Sequence, residues 1–129
     1  MPLALSAPVS VGDLLDRLTI LGIKAGKLSG AALANAEAER VQLVQAWVAA
    51  GLPAPDSLLA FRELSEINLA LWEVEDRLRA AEATGEFGPA FVDDARSVYR
   101  LNDRRAALKR AVNLHFDSAV IEEKSHPRY

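Results

Sequence analysis

The 129-residue chain has no cysteine. That absence excludes disulfide frameworks and thiolate metal sites, and makes a reducing compartment the natural expectation. Aromatic residues are scarce, at 6%. With Ala and Leu abundant, the balance favours helix over sheet, because strands draw on aromatic and β-branched side chains. No window approaches the roughly 18 uninterrupted apolar residues of a membrane-spanning helix. The opening MPLALSAPVSVG is apolar but has no basic leader, and Ser6 and Pro8 interrupt it, which argues against a secretory signal. The chain is therefore expected to be cytoplasmic, with no membrane association. There is also no GxSxG, no P-loop and no glycine-rich dinucleotide turn, so the common signatures of nucleophilic and nucleotide chemistry are missing.

What remains is ample for a core. Half of the residues are hydrophobic, and the length suits one helical-bundle domain over residues 1–129. The net charge of −3 conceals an asymmetry: residues 1–95 carry 7 basic and 14 acidic side chains, residues 96–129 carry 8 and 4.

Hydrophobic periodicity predicts four helices. Ser10 with Asp13 forms an N-terminal signal, followed by the stripe Val11, Leu14, Leu18, Leu21, Ala25 and Leu28, and Ser29-Gly30 ends the segment. A second helix is expected from about Ala31 to Ala50, stopped by Gly51 and Pro53. Its apolar residues occupy two sides: Leu33, Val41, Val44 and Val48 on one stripe, Leu43 and Trp47 beside it. Such a helix is either central or in contact with a second copy, and a homodimer is one expectation. The third helix, capped by Asp56 or Ser57, repeats Ala60, Leu64, Ile67, Leu71, Val74, Leu78 and Ala81 in seven registered steps until Thr84-Gly85. Pro89 opens the fourth, with Phe91, Ala95, Val98, Leu101, Leu108 and Val112 inward to about Phe116. The short loop between the last two makes them antiparallel neighbours. The expected fold is all-α, a four-helix bundle with a long helix-3/helix-4 hairpin. The tail from Asp117 is either a strap or one more helical turn, since His126-Pro127 forbids a long helix.

A polar line accompanies the apolar stripe of helix three: Asn68, Trp72, Glu75 and Arg79, with Asp76 and Glu73 adjoining. Its counterpart on helix four is Arg96, Tyr99, Asn102, Asp103, Lys109 and Asn113. In an antiparallel hairpin turning near Glu86, partner numbers should sum to about 172. That register sets Asp76 and Glu75 opposite Arg96, Asn68 near Asp103 and Arg104, and Glu63 and Glu66 near Arg105 and Lys109. The seam is either a set of flanking ion pairs that fix register or a polar pocket around Asn68, Arg96, Tyr99 and Asn102.

Specific chemistries find little purchase. Arg96, Arg100, Arg104, Arg105, Lys109 and Arg110 wrap around helix four instead of forming one stripe, which argues against nucleic acid. The carboxylate pairs Glu63/Glu66 and Glu73/Asp76 lie too close in sequence for magnesium ligation from two helices. His115 and His126 have no zinc-motif spacing. Neither metal nor cofactor is expected. Inward cations such as Lys24, Arg79, Arg96 and Lys109 leave open a metal-independent enzyme acting on a polar anionic metabolite.

The strings VSVGDLLDRLTILGIKAGKL, NLALWEVEDRLR, FVDDARSVYRLNDRRAALKRAVN and SAVIEEKSHPRY resemble a bacterial family of short, all-helical proteins classed as a domain of unknown function. The resemblance spans most of the chain and is weakest in helix two. It implies no activity, but the polar seam falls inside the matching strings. On that ground Asn68, Trp72, Glu75, Asp76, Arg79, Arg96 and Tyr99, with Asn102, Asp103, Lys109, Asn113, Glu122 and Lys124, are the candidate ligand-binding residues. The chain departs from the family at His126, where relatives tend to have an aromatic. The expectation is a helical-bundle protein binding a protein partner or a small anionic ligand.

Overall fold

The computed structural model describes residues 2–129. Four α-helices follow in order: α1 (Val11–Lys27), α2 (Gly30–Ala49), α3 (Leu59–Thr84) and α4 (Pro89–His115), with a 3₁₀ turn at Pro55–Ser57. No strand occurs among the described residues, and none of these helices is long and apolar enough to cross a membrane.

Local chemistry accounts for most of the helix ends. Ser10 caps α1 by accepting the Asp13 N–H at 3.0 Å. Gly85, at φ 72°, lies just past α3 in the left-handed region that glycine enters without steric cost. From there the Glu86 N–H donates to Ala81 O at 2.9 Å, closing the helix in a Schellman arrangement. Pro89 occupies the first turn of α4, where its missing N–H costs nothing. One end differs from expectation. Asp56 and Ser57 fall in the 3₁₀ turn instead of capping α3, which starts at Leu59 with no side-chain cap.

The α3/α4 hairpin is the most extensive helix pairing, and α1 lies across it, packing on both members and on α2. The α3 stripe is buried or half-buried at all seven expected positions. Leu14, Leu15, Leu18, Trp47, Leu64 and Val112 form the central cluster. Burying side chains of this size contributes roughly 1.5–3 kcal/mol each. Of the two apolar sides of α2, the one carrying Trp47 faces the bundle: Ala36 and Trp47 are buried, whereas Val41 and Val48 are exposed. Trp47 decides which side turns inward. Its ring meets Phe116 edge-on, and its Nε1 donates to Pro53 O at 2.7 Å, so the indole is both packed and hydrogen-bonded inside the bundle.

After α4 the backbone turns at Asp117, φ 52°, and Ser118 N–H donates to Asn113 O at 2.8 Å. Residues 119–129 then form an extended strap without helix. Of the two forms considered for the tail, the strap is the one adopted.

Candidate functional site

The polar groups converge where α1 begins, α4 approaches its end, and the strap passes. The backbones of α1 and α4 touch here at Gly12, whose N–H donates to Asn113 Oδ1 at 2.6 Å. A Cβ at this position would collide with the Lys109 carbonyl and come within 2.9 Å of Asn113 Oδ1. The glycine is thus required by proximity, not by conformation. Ser118 Oγ accepts the Val11 N–H at 3.1 Å, and Ser10 Oγ donates to Glu122 Oε1 at 2.8 Å. The first turn of α1 therefore has its free N–H groups satisfied by side chains from α4 and the strap as well as by its own cap.

Beneath that turn is Asp16, 1% exposed. It accepts two hydrogen bonds from Arg105, with Nε to Oδ1 at 3.0 Å, and a third from Asn68 Nδ2 at 2.8 Å. Asn68 also donates to Thr19 Oγ1, and Thr19 Oγ1 donates to Asp16 O. A buried carboxylate is tolerable only when paired and hydrogen-bonded, and this one is. The bonds to Asp16 push the Arg105 pKa above its ordinary value, outweighing the opposing effect of burial.

One turn along α4, Lys109 Nζ lies 3.1 Å from Asp13 Oδ1 and 3.4 Å from Glu122 Oε2. Arg110 reaches Glu123 at 2.7 Å, in a pair that is largely exposed. Between the last four turns of α4 and the strap is a cavity of about 460 Å³. Arg105, Lys109, Arg110 and Lys124 supply its cations, Glu122 and Glu123 its carboxylates, and Asn102 and Asn113 its amides. Lys124 has no ion-pair partner among the described residues. A neighbouring cavity of about 440 Å³ continues along the strap past His126 to Tyr129, sharing Ala106 and Lys124. Its far end is marked by the Tyr129 ring, set edge-on to Tyr99 at 4.8 Å.

A family model described as "Family of unknown function (DUF6165)" matches residues 5–128. The chain belongs to that family. No curated protein and no solved structure matches it.

Of the candidate residues, the structure brings five to the first cavity: Asn102, Lys109, Asn113, Glu122 and Lys124. Asp103 lines the second. The helix-three members lie elsewhere. Asn68 is turned to α1, away from its expected place beside Asp103 and Arg104. Trp72 is half-buried with Lys27 Nζ 5.9 Å above its ring. Glu75, Asp76, Arg79 and Arg96 are exposed and line neither cavity. The expected pairing of Asp76 with Arg96 does not form; Arg77 bridges the hairpin instead, to Asp94 at 3.1 Å, one residue from the expected register. Likewise Arg105 and Lys109 choose Asp16 and Asp13 over Glu63 and Glu66. The reason is the third body. Because α1 lies across the hairpin, its carboxylates reach the cations of α4 first, and a register computed for α3 and α4 alone leaves them out.

The residues absent from the expected set are Ser10, Asp13, Asp16, Thr19, Arg105, Arg110, Ser118 and Glu123. Asp16 carried a visible signal, being a charge inside the apolar run Leu14, Leu15, Leu18. Among the described residues no cluster of three or more His, Asp or Glu side chains is disposed to hold a metal ion.

Proposed function

We propose that this protein is a binding module that holds a small ligand by its anionic group, in the cavity between α4 and the C-terminal strap. The observation that supports this reading is the concentration of four cations around one concave space, one of them, Lys124, without an internal partner. A volume of about 460 Å³ falls in the range of roughly 300–1,000 Å³ typical of small-molecule sites. Arg105 and Lys109 are anchored from behind by Asp16 and Asp13, so they set a fixed floor. Arg110 and Lys124 are the exposed contacts that a ligand would engage, Arg110 offering the planar fork suited to carboxylate or phosphate. The rival reading, a metal-independent enzyme, rests on Lys24, Arg79, Arg96 and Lys109; of these only Lys109 lines a cavity, and it is paired with Asp13 and Glu122.

The test is a thermal-shift and calorimetric screen of anionic metabolites. A binder at about 100 times its dissociation constant adds about 2.7 kcal/mol of stability. Arg110→Ala together with Lys124→Ala should abolish that gain, and Arg96→Ala should leave it intact. Equal gains in all three proteins would place the ligand elsewhere. A homodimer is a second proposal, favoured by Val41 and Val48, exposed seven residues apart on one side of α2.

A further inference from the structure

The charges around the cavity are not all available to a ligand. Arg105 is bound by Asp16, and Lys109 by Asp13. Ser10 and Lys109 hold Glu122. The groups left to respond are Arg110 and Lys124, both cations, and the carboxylate of Glu123, which is paired with Arg110 at 2.7 Å. That pair is solvated, with the Arg110 side chain 47% and the Glu123 side chain 71% exposed, and an exposed pair is weak enough to be opened.

A ligand carrying only negative charge that takes the edge of Arg110 now held by Glu123 displaces that carboxylate, and then sits beside it uncompensated on the same strap. A ligand that also carries an ammonium avoids this. Its anionic group replaces Glu123 on Arg110 and gains Lys124, while its ammonium replaces Arg110 on Glu123. Both halves of the opened ion pair recover an opposite charge, and the site is spared the like-charge repulsion that selects against a plain anion. Resting on the anion-site reading above, we infer that the cavity selects zwitterionic ligands: small amino acids or amino phosphates whose ammonium lies on Glu123 and whose carboxylate or phosphate lies between Arg110 and Lys124. Adjacent placement of Glu123 and Lys124 on the strap puts the two recognition charges on one short, exposed segment.

The test compares molecules that differ in the ammonium alone. L-glutamate is titrated against glutarate, and phosphoethanolamine against ethyl phosphate, by isothermal calorimetry with the 129-residue chain. The two pairs also distinguish a carboxylate from a phosphate preference. In at least one pair the amine-bearing member should bind roughly tenfold tighter or more, the effect of one charge-assisted hydrogen bond. Glu123→Gln should remove that preference by weakening the amine-bearing ligand and strengthening its partner. The residue is exposed on the strap, so the variant folds as the parent does, which far-ultraviolet circular dichroism checks. If glutarate and ethyl phosphate both bind as tightly as their amine-bearing counterparts, the ammonium site is refuted while the anion site survives. If no member of either pair binds the parent chain, this inference falls, and the anion reading is decided by the metabolite screen.

Discussion

Replacing Gly12 with alanine tests the closest approach in the molecule. The added methyl group would meet the Lys109 carbonyl and lie 2.9 Å from Asn113 Oδ1. A carbonyl inside a helix cannot step aside unless α4 moves with it. Overpacking of this kind costs about 1–3 kcal/mol. The shift would also stretch the 2.6 Å bond from Gly12 N–H to Asn113, and a hydrogen bond of this type contributes about 1 kcal/mol. Against these, alanine is favoured over glycine in a helix by up to about 1 kcal/mol. The net expectation is a loss of about 2 kcal/mol, read as a lower urea midpoint at unchanged slope. Gly22 is the control on the same helix. Nothing lies within 4 Å of a Cβ built there, so Gly22→Ala should stabilise by up to about 1 kcal/mol. If Gly12→Ala matches Gly22→Ala in sign, the tight seating of α1 on α4 is wrong, and the floor of the cavity with it.

Asp16→Ala should cost about 3 kcal/mol or more in the same assay, because it removes one of the two Asn68 acceptors and leaves a half-buried Arg105 without its carboxylate; a loss below about 1 kcal/mol would contradict the network. Hydrogen bonding to Asp103 chiefly, with a smaller contribution from burial, holds the Tyr129 phenol above its ordinary pKa. The contact is therefore fully present below the ordinary tyrosine range and lost as pH rises through the raised value. In an ultraviolet titration Asp103→Asn should shift one tyrosine transition downward, and an unchanged curve would release the strap end from this contact. If α2 forms the proposed dimer face, light scattering should give twice the monomer mass, and Val41→Glu with Val48→Glu should return it to monomer; a monomeric parent chain removes the dimer.

The helical class, the α3/α4 hairpin and most element ends were legible because they depend on neighbours in sequence. Seven apolar positions at three- and four-residue steps define the buried face of α3 without knowledge of its partner, and Gly85 and Pro89 mark the turn by backbone chemistry alone. The polar site was half legible. Periodicity places Asn102, Lys109 and Asn113 on a seam with α3, and Glu122 and Lys124 enter only through the family resemblance. The third partner was hidden because α1 precedes α4 by some eighty residues, and no local pattern states how far a helix is rotated or where it crosses. α2 illustrates the same limit: its apolar residues occupy two sides, and only the packing of the Trp47 indole shows which of them enters the bundle and that Val41 and Val48 stay exposed.

By itself, then, the chain's residue order determined which segments coil, where they stop, and that the last two long ones fold back on each other, since short-range hydrogen bonding and side-chain periodicity suffice for that. Tertiary structure alone decided which charges meet. Asp16 finds Arg105, and Glu123 finds Arg110, because three-body packing sets distances of a few ångströms between groups that covalent neighbours leave unconstrained.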